Sequence, residues 1–164
     1  RRKARVADGM LVPLHEQDMR LWDHQLIADS DSYLERAFEF RRLGRFQIEA
    51  AIQQVHVNGV RKGQIDWKAV LLLTEGLCKL WPTQGAEVSR AAAIAEVFGP
   101  EKGLEALDAV APSDIMFQPA EATRAHLLAQ LRHVAAAKSS YDRAIDLTLE
   151  PAVRNWLMKK RAAI

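Results

Sequence analysis

The residues able to do chemistry are five histidines, one cysteine and a scatter of carboxylates, and their spacing decides what they can do. His15, His24, His56, His126 and His133 include no pair four apart, the spacing that sets two imidazoles on one helix face around zinc. Cys78 has no second thiol, so no internal disulfide can form, and a reducing cytoplasm is expected. Asp29 with Asp31, and Glu35 with Glu39, are paired carboxylates. Glu39 lies three positions before Arg42, so a solvated charged face accounts for that pair better than acid–base work. Gly99-Pro100-Glu101-Lys102-Gly103 has glycines and a lysine but neither the spacing nor the Lys-Ser/Thr ending of a phosphate loop. It reads as a turn between helices. No catalytic residue, metal site or cofactor is expected, and a non-enzymatic chain is the reading.

The elements that would position such groups are helical. Alanine and leucine dominate 164 residues, and a 49% apolar fraction is enough to build a core. Lys and Arg number 23 against 21 Asp and Glu, a net charge of +2 and a pI near 8.8. That balance lacks the basic stripe of a dedicated nucleic-acid reader, so specific DNA binding is not expected. The basic clusters Arg1-Arg2-Lys3 and Lys159-Lys160-Arg161 read as solvated ends. No apolar run approaches the ~20 residues of a membrane span, and the start has no signal-peptide core. The first residue is Arg1 rather than Met, from which a fragment of a longer protein or a processed chain is expected.

Residues Lys3 to Pro13 form a distinct lead-in, with Asp8-Gly9 as a turn between short extended pieces. The helical period begins at Asp18, where Trp22, Leu26, Tyr33, Leu34, Ala37 and Phe38 share a face. Gly44 breaks it. Phe46, Ile48, Ala51, Ile52 and Val55 make a second stripe, closed by Asn58-Gly59. Asp66 caps a third helix carrying Trp67, Val70, Leu71, Leu77 and Trp81, stopped by Pro82. A fourth runs from Gly85 to Phe98 with Val88, Ala91, Ala92 and Ala95 inward. Pro100 opens a fifth with Leu104, Leu107 and Val110, and Pro112-Ser113-Asp114 breaks the chain again. Leu127, Leu128 and Leu131 mark a sixth. Val134, Tyr141, Ala144, Ile145 and Leu149 mark a seventh, and Val153, Trp156 and Leu157 an eighth. Most of the four tryptophans are expected in the core, with Trp156 anchoring the last helix and Trp81 a candidate groove residue.

A repeat separates a bundle from a solenoid. The segment Ser140 to Leu147 resembles Leu73 to Leu80, 67 positions earlier, close to twice the ~34-residue tetratricopeptide period. Leu104 to Val110 takes the middle place, and Pro82, Pro112 and Pro151 close the units at irregular intervals. The fold expected is all-α: about eight helices in antiparallel pairs, stacked as a degenerate tetratricopeptide-like right-handed superhelix. Residues 1–18 are the extended lead-in or linker, and 19–164 the helical domain.

Three blocks carry a family resemblance. They are Leu11-Val12-Pro13-Leu14-His15-Glu16-Gln17-Asp18 with Leu21-Trp22-Asp23 and Leu26-Ile27-Ala28; Gln47 to His56; and Gly99 to Asp108. Together they resemble the C-terminal tetratricopeptide-like extension of certain bacterial extracytoplasmic-function sigma factors. The chain departs from that pattern at Ser89-Arg90 and at Asp29-Ser30-Asp31-Ser32. The resemblance implies a regulatory extension that binds its own N-terminal sigma regions, RNA polymerase or a regulatory protein. It implies no DNA-reading helix, no membrane contact and a cytoplasmic setting. The partner surface would then be the concave side, lined by the first helix of each pair near Arg45 to Asn58, Gly85 to Phe98 and Pro119 to Arg132. Gln53, Glu87, Arg90, Arg124 and Gln130 are its candidate binding residues. The rival readings are a free-standing tetratricopeptide-like adaptor and an enzyme assembled from tertiary contacts, such as His56 with carboxylates.

Overall fold

The computed structural model describes residues 2–110 and 117–164. The chain is all-α with a short hairpin at its start. The hairpin strands are β1 (Val6–Ala7) and β2 (Met10–Leu11), antiparallel, with Val6 opposite Leu11. Asp8 and Gly9 turn between them at φ 50° and 71°, as the Asp-Gly signal requires. Eight helices follow among the described residues: α1 (His24–Glu39), α2 (Arg45–Lys62), α3 (Trp67–Leu80), α4 (Gln84–Phe98), α5 (Pro100–Asp108), α6 (Gln118–Gln130), α7 (Val134–Asp146) and α8 (Pro151–Ala162).

Three helices begin at a side-chain cap. Asp23 accepts the Leu26 N–H at 3.0 Å, Asp66 that of Ala69 at 3.0 Å, and Thr83 that of Ala86 at 3.2 Å. Pro100 and Pro151 stand at first helical positions, where their missing N–H has no helical partner to lose. The Pro112-Ser113-Asp114 break lies outside the described residues.

Two boundaries differ from the sequence reading. The first helix starts at His24, not Asp18, because Asp18 caps a single 3-10 turn (Met19–Leu21) and Asp23 caps the helix proper. The second does not end at Asn58-Gly59. It runs on to Lys62, and Gly63 at φ 76° supplies the left-handed terminus. Gly59 is a glycine for another reason: a Cβ there would meet the Ile65 backbone and side chain at 2.7 Å.

Consecutive helices from α1 to α8 pack on one another, and α4 also reaches α6. This is the contact pattern of stacked helix pairs. Small residues set the spacing. Ala91 and Ala93 are fully buried, so α4 is sandwiched on two faces rather than on the one predicted. A Cβ on Gly103 would lie 2.3 Å from the Ala95 Cβ, which shows how closely α5 approaches α4.

The core strengthens toward the C-terminus. Ala125, Tyr141, Ala144 and Leu157 join α6, α7 and α8. Beside them Arg143 donates to Glu121 at 2.9 Å and to the buried Ser140 hydroxyl at 3.0 Å. Leu157 is the fully buried residue of α8, whereas Trp156 is only half-buried, with Lys160 Nζ 5.5 Å from its ring centroid. Val134 and Leu149 stand largely in solvent, not in the seventh stripe as expected.

The lead-in is packed at both its ends. Ala4, Trp22 and Val57 form one buried cluster, while β2 lies against α8. Asn155 Nδ2 donates to the Gly9 carbonyl at 3.0 Å, and Arg5 sits 3.7 Å from Glu150.

Candidate protein-interaction surface

The five predicted site residues fall on α2, α4 and α6, the helices expected to line one side. Gln53 is exposed on α2, and Gln130 is exposed at the end of α6. Glu87, Arg90 and Arg124 are ion-paired within the chain. Arg90 Nη2 lies 2.7 Å from Glu87 Oε2, both side chains about a quarter exposed. Arg124 is ion-paired with Asp108 of α5. Hydrogen bonding to Glu87 holds Arg90 more firmly in its charged form. Desolvation, and after it the Glu87 carboxylate, push the neighbouring Cys78 thiol up, which favours its protonated form. Glu87, Arg90 and Cys78 are thus one local group at the α3–α4 seam, while Arg124 bonds α6 to α5.

Among the described residues no group of three or more His, Cys, Asp or Glu is arranged to hold a metal ion. His56 stacks edge-on against Trp67, ring centroids 5.4 Å apart, which is a packing role. No helix of the described chain is long and apolar enough to cross a membrane.

The largest departure from the sequence reading is α1. Its periodic stripe was expected to be core, yet Leu34 is the one buried residue of the helix. Leu26 is 65% exposed, Tyr33 69% and, across on α2, Phe46 79%. Phe40 and Leu43 in the connecting turn are also open. The helix touches α2 through Leu34 and its half-buried neighbours, Ile27 packs on the Ala4, Trp22 and Val57 cluster, and Leu26 and Tyr33 stay open.

Between α1 and α2 lies a groove of about 610 Å³. Leu26, Tyr33, Leu34 and Ala37 line it from α1, and Phe46 and Ala50 from α2. Its polar groups are few, and two of them are bonded within the chain. Asp29 accepts from Gln25 at 2.8 Å. Gln47 accepts from the Gly44 N–H at 2.5 Å and donates to the Ala37 carbonyl at 2.8 Å, which pins the start of α2 to the end of α1. Arg41, at φ 52°, makes the turn that opens the two helices at this angle. Sequence reasoning missed this site because helical period marks a shared face without saying what covers it. The signal available was the polar Asp29-Ser30-Asp31-Ser32 run inside an apolar stripe.

Comparison with known proteins gives two similarities. A family described as one of unknown function (DUF6596) matches residues 1–38, the lead-in and nearly all of α1. A protein of Rhizobium meliloti (strain 1021), described as uncharacterized, is 34% identical over 141 residues. That alignment covers 86% of this chain and 33% of the relative, so the chain spans about a third of the relative's length. No solved structure matches.

Proposed function

We propose that this chain is the non-catalytic, regulatory C-terminal domain of an alternative RNA polymerase sigma factor, acting in the cytoplasm by binding protein. Its partners are its own N-terminal sigma regions or the polymerase. The resemblance of three sequence blocks supplies the sigma-factor part of the reading. The observation that carries the interaction part is the open apolar face of α1 and α2. Isolated exposed apolar residues are ordinary, but a contiguous groove with Leu26, Tyr33 and Phe46 open beside it marks a docking site. This favours the first helix pair as the docking surface over the Gln53–Gln130 side, where Arg90 and Arg124 already have partners.

Two measurements test this. The reading frame upstream of the Arg1 codon should encode regions that bind the −10 and −35 promoter elements. Calorimetry should then show those regions, or polymerase holoenzyme, binding this chain, with Tyr33→Ser plus Phe46→Ser abolishing the heat and Gln130→Ala leaving it. An upstream frame without sigma regions would leave the free-standing adaptor as the better reading. Undiminished binding by the double variant would remove the groove from the interface.

A further inference from the structure

We infer that the α1–α2 groove accepts an amphipathic α-helix of a partner protein, with an apolar stripe facing in and a cation placed against Asp29. The inference rests on reading this face as a docking surface, but not on the partner's being a sigma region or polymerase.

The shape of the occupant follows from what the groove lacks. An extended peptide carries unpaired N–H and C=O groups, and burying them unmatched is costly. Here the wall is apolar, and Asp29 and Gln47 are already bonded to Gln25, Gly44 and Ala37. Neither wall is a strand edge, since both are helices. A helix satisfies its own backbone and needs only apolar contact, which is the helix-in-groove mode. The length agrees: Leu26 to Ala37 spans eleven residue steps, about 16 Å or three helical turns.

The charge of the occupant follows from Asp29, the charged residue among those lining the groove. It is exposed, and its bond is to a neutral amide, with no cation within ion-pair distance among the described residues. The other carboxylates of α1, Asp31, Glu35 and Glu39, do not line the groove, and on its α2 side Arg45 lies over the Phe46 ring at 5.9 Å. A helix with a glutamate at the Asp29 end would set like charges together. A helix with a Lys or Arg at the Asp29 end does the reverse.

Two synthetic 18-residue helical peptides test the inference directly. Both carry leucines at i, i+3, i+4 and i+7. One has lysines flanking that stripe and the other glutamates. Titrated against this chain, the lysine peptide should shift the resonances of Tyr33, Phe46 and Ala50 and bind about threefold tighter than the glutamate peptide, the worth of one exposed ion pair. Asp29→Lys should reverse the preference, and Phe46→Ser should abolish both complexes while leaving the melting temperature in place. A proline-interrupted lysine peptide of the same composition should not bind. The idea is overturned if neither helix binds, if the proline peptide binds equally well, if the preference ignores Asp29→Lys, or if sedimentation shows a dimer that Phe46→Ser dissolves. Sigma regions that fail to bind while the lysine helix does would overturn the functional reading and leave this one standing.

Discussion

The two ends of this molecule are built from similar sequence and reach opposite outcomes. At the C-terminal end, Val153, Trp156 and Leu157 occupy i, i+3 and i+4 of α8, and Leu157 is sealed against Ala125, Tyr141 and Ala144. At the N-terminal end, Leu26, Ser30, Tyr33 and Ala37 occupy the same kind of stripe on α1, and it stays in water. Local helix chemistry is equally sound at both, with Asp23 capping α1 and Pro151 opening α8. What differs is the neighbour. The C-terminal stripe meets two helices and part of the hairpin, whereas α1 meets α2 and, through Ile27, the Trp22 cluster, with Leu26 and Tyr33 left open. Amphipathicity therefore records that a face is meant to be covered, and the fold decides whether the cover is supplied from within.

Substitutions should separate the two ends sharply. Leu157→Ala should cost about 2–5 kcal/mol, since it deletes a fully enclosed side chain, and thermal or urea unfolding will read the loss. Gly103→Ala comes next, at about 1–3 kcal/mol, because the new methyl overlaps Ala95 and α5 must move off α4. Trp156→Ala should cost less than the ~3–5 kcal/mol of a fully buried tryptophan, because one side of the ring faces Lys160 and solvent. Tyr33→Ser with Phe46→Ser should change stability by no more than about 0.5 kcal/mol per site while removing partner binding. A large loss of stability from that pair would show α1 to be packed after all and erase the contrast.

The smallest effect is a pH slope at the well-packed end. Desolvation holds the His126 imidazole below its ordinary value; Glu96 opposes this and Lys160 adds to it. As pH falls through about 6.5, the unfolded chain takes up this proton before the folded one does. Stability contributed by neutral His126 is then complete above that pH and declines below it, until the folded state protonates too. Melting temperatures measured from pH 5 to 8 should show a slope that His126→Gln flattens.

Much of the fold was legible because its determinants are local. Asp8-Gly9, Asp66, Gly99-Pro100 and Pro151 each act within a turn of themselves, and each does what its chemistry requires. Asn58-Gly59 misled because a glycine that ends a helix and a glycine that admits Ile65 look alike in sequence. The site was less legible. Glu87, Arg90 and Arg124 were chosen as free polar groups, yet their partners were Arg90, Glu87 and Asp108, the last sixteen residues from Arg124 in the chain. Reversing Arg90 and Arg124 to glutamate would set like charges against Glu87 and Asp108, so that pair of changes should lower stability. Leu26, Tyr33 and Phe46 were read as members of apolar stripes, and hydrophobic period alone does not say whether a stripe is covered within the chain.

The bond from Asn155 to the Gly9 carbonyl joins residues 146 apart in sequence. An open array of helix pairs folds through near-neighbour contacts, and either end can fray without consulting the other. Here the hairpin ties α8 to the Trp22–Val57 cluster, so the chain carries a long-distance closure on top of its local contacts. Closing so long a loop is entropically costly and slow relative to forming helices, so it is expected as the last event of folding. It is also expected to be the first to open in native-state hydrogen exchange, with the Met10 and Leu11 amides exchanging before those of α6 and α7. Once shut, it couples fluctuations at one end of the array to those at the other, which a linear stack of the same helices would not do.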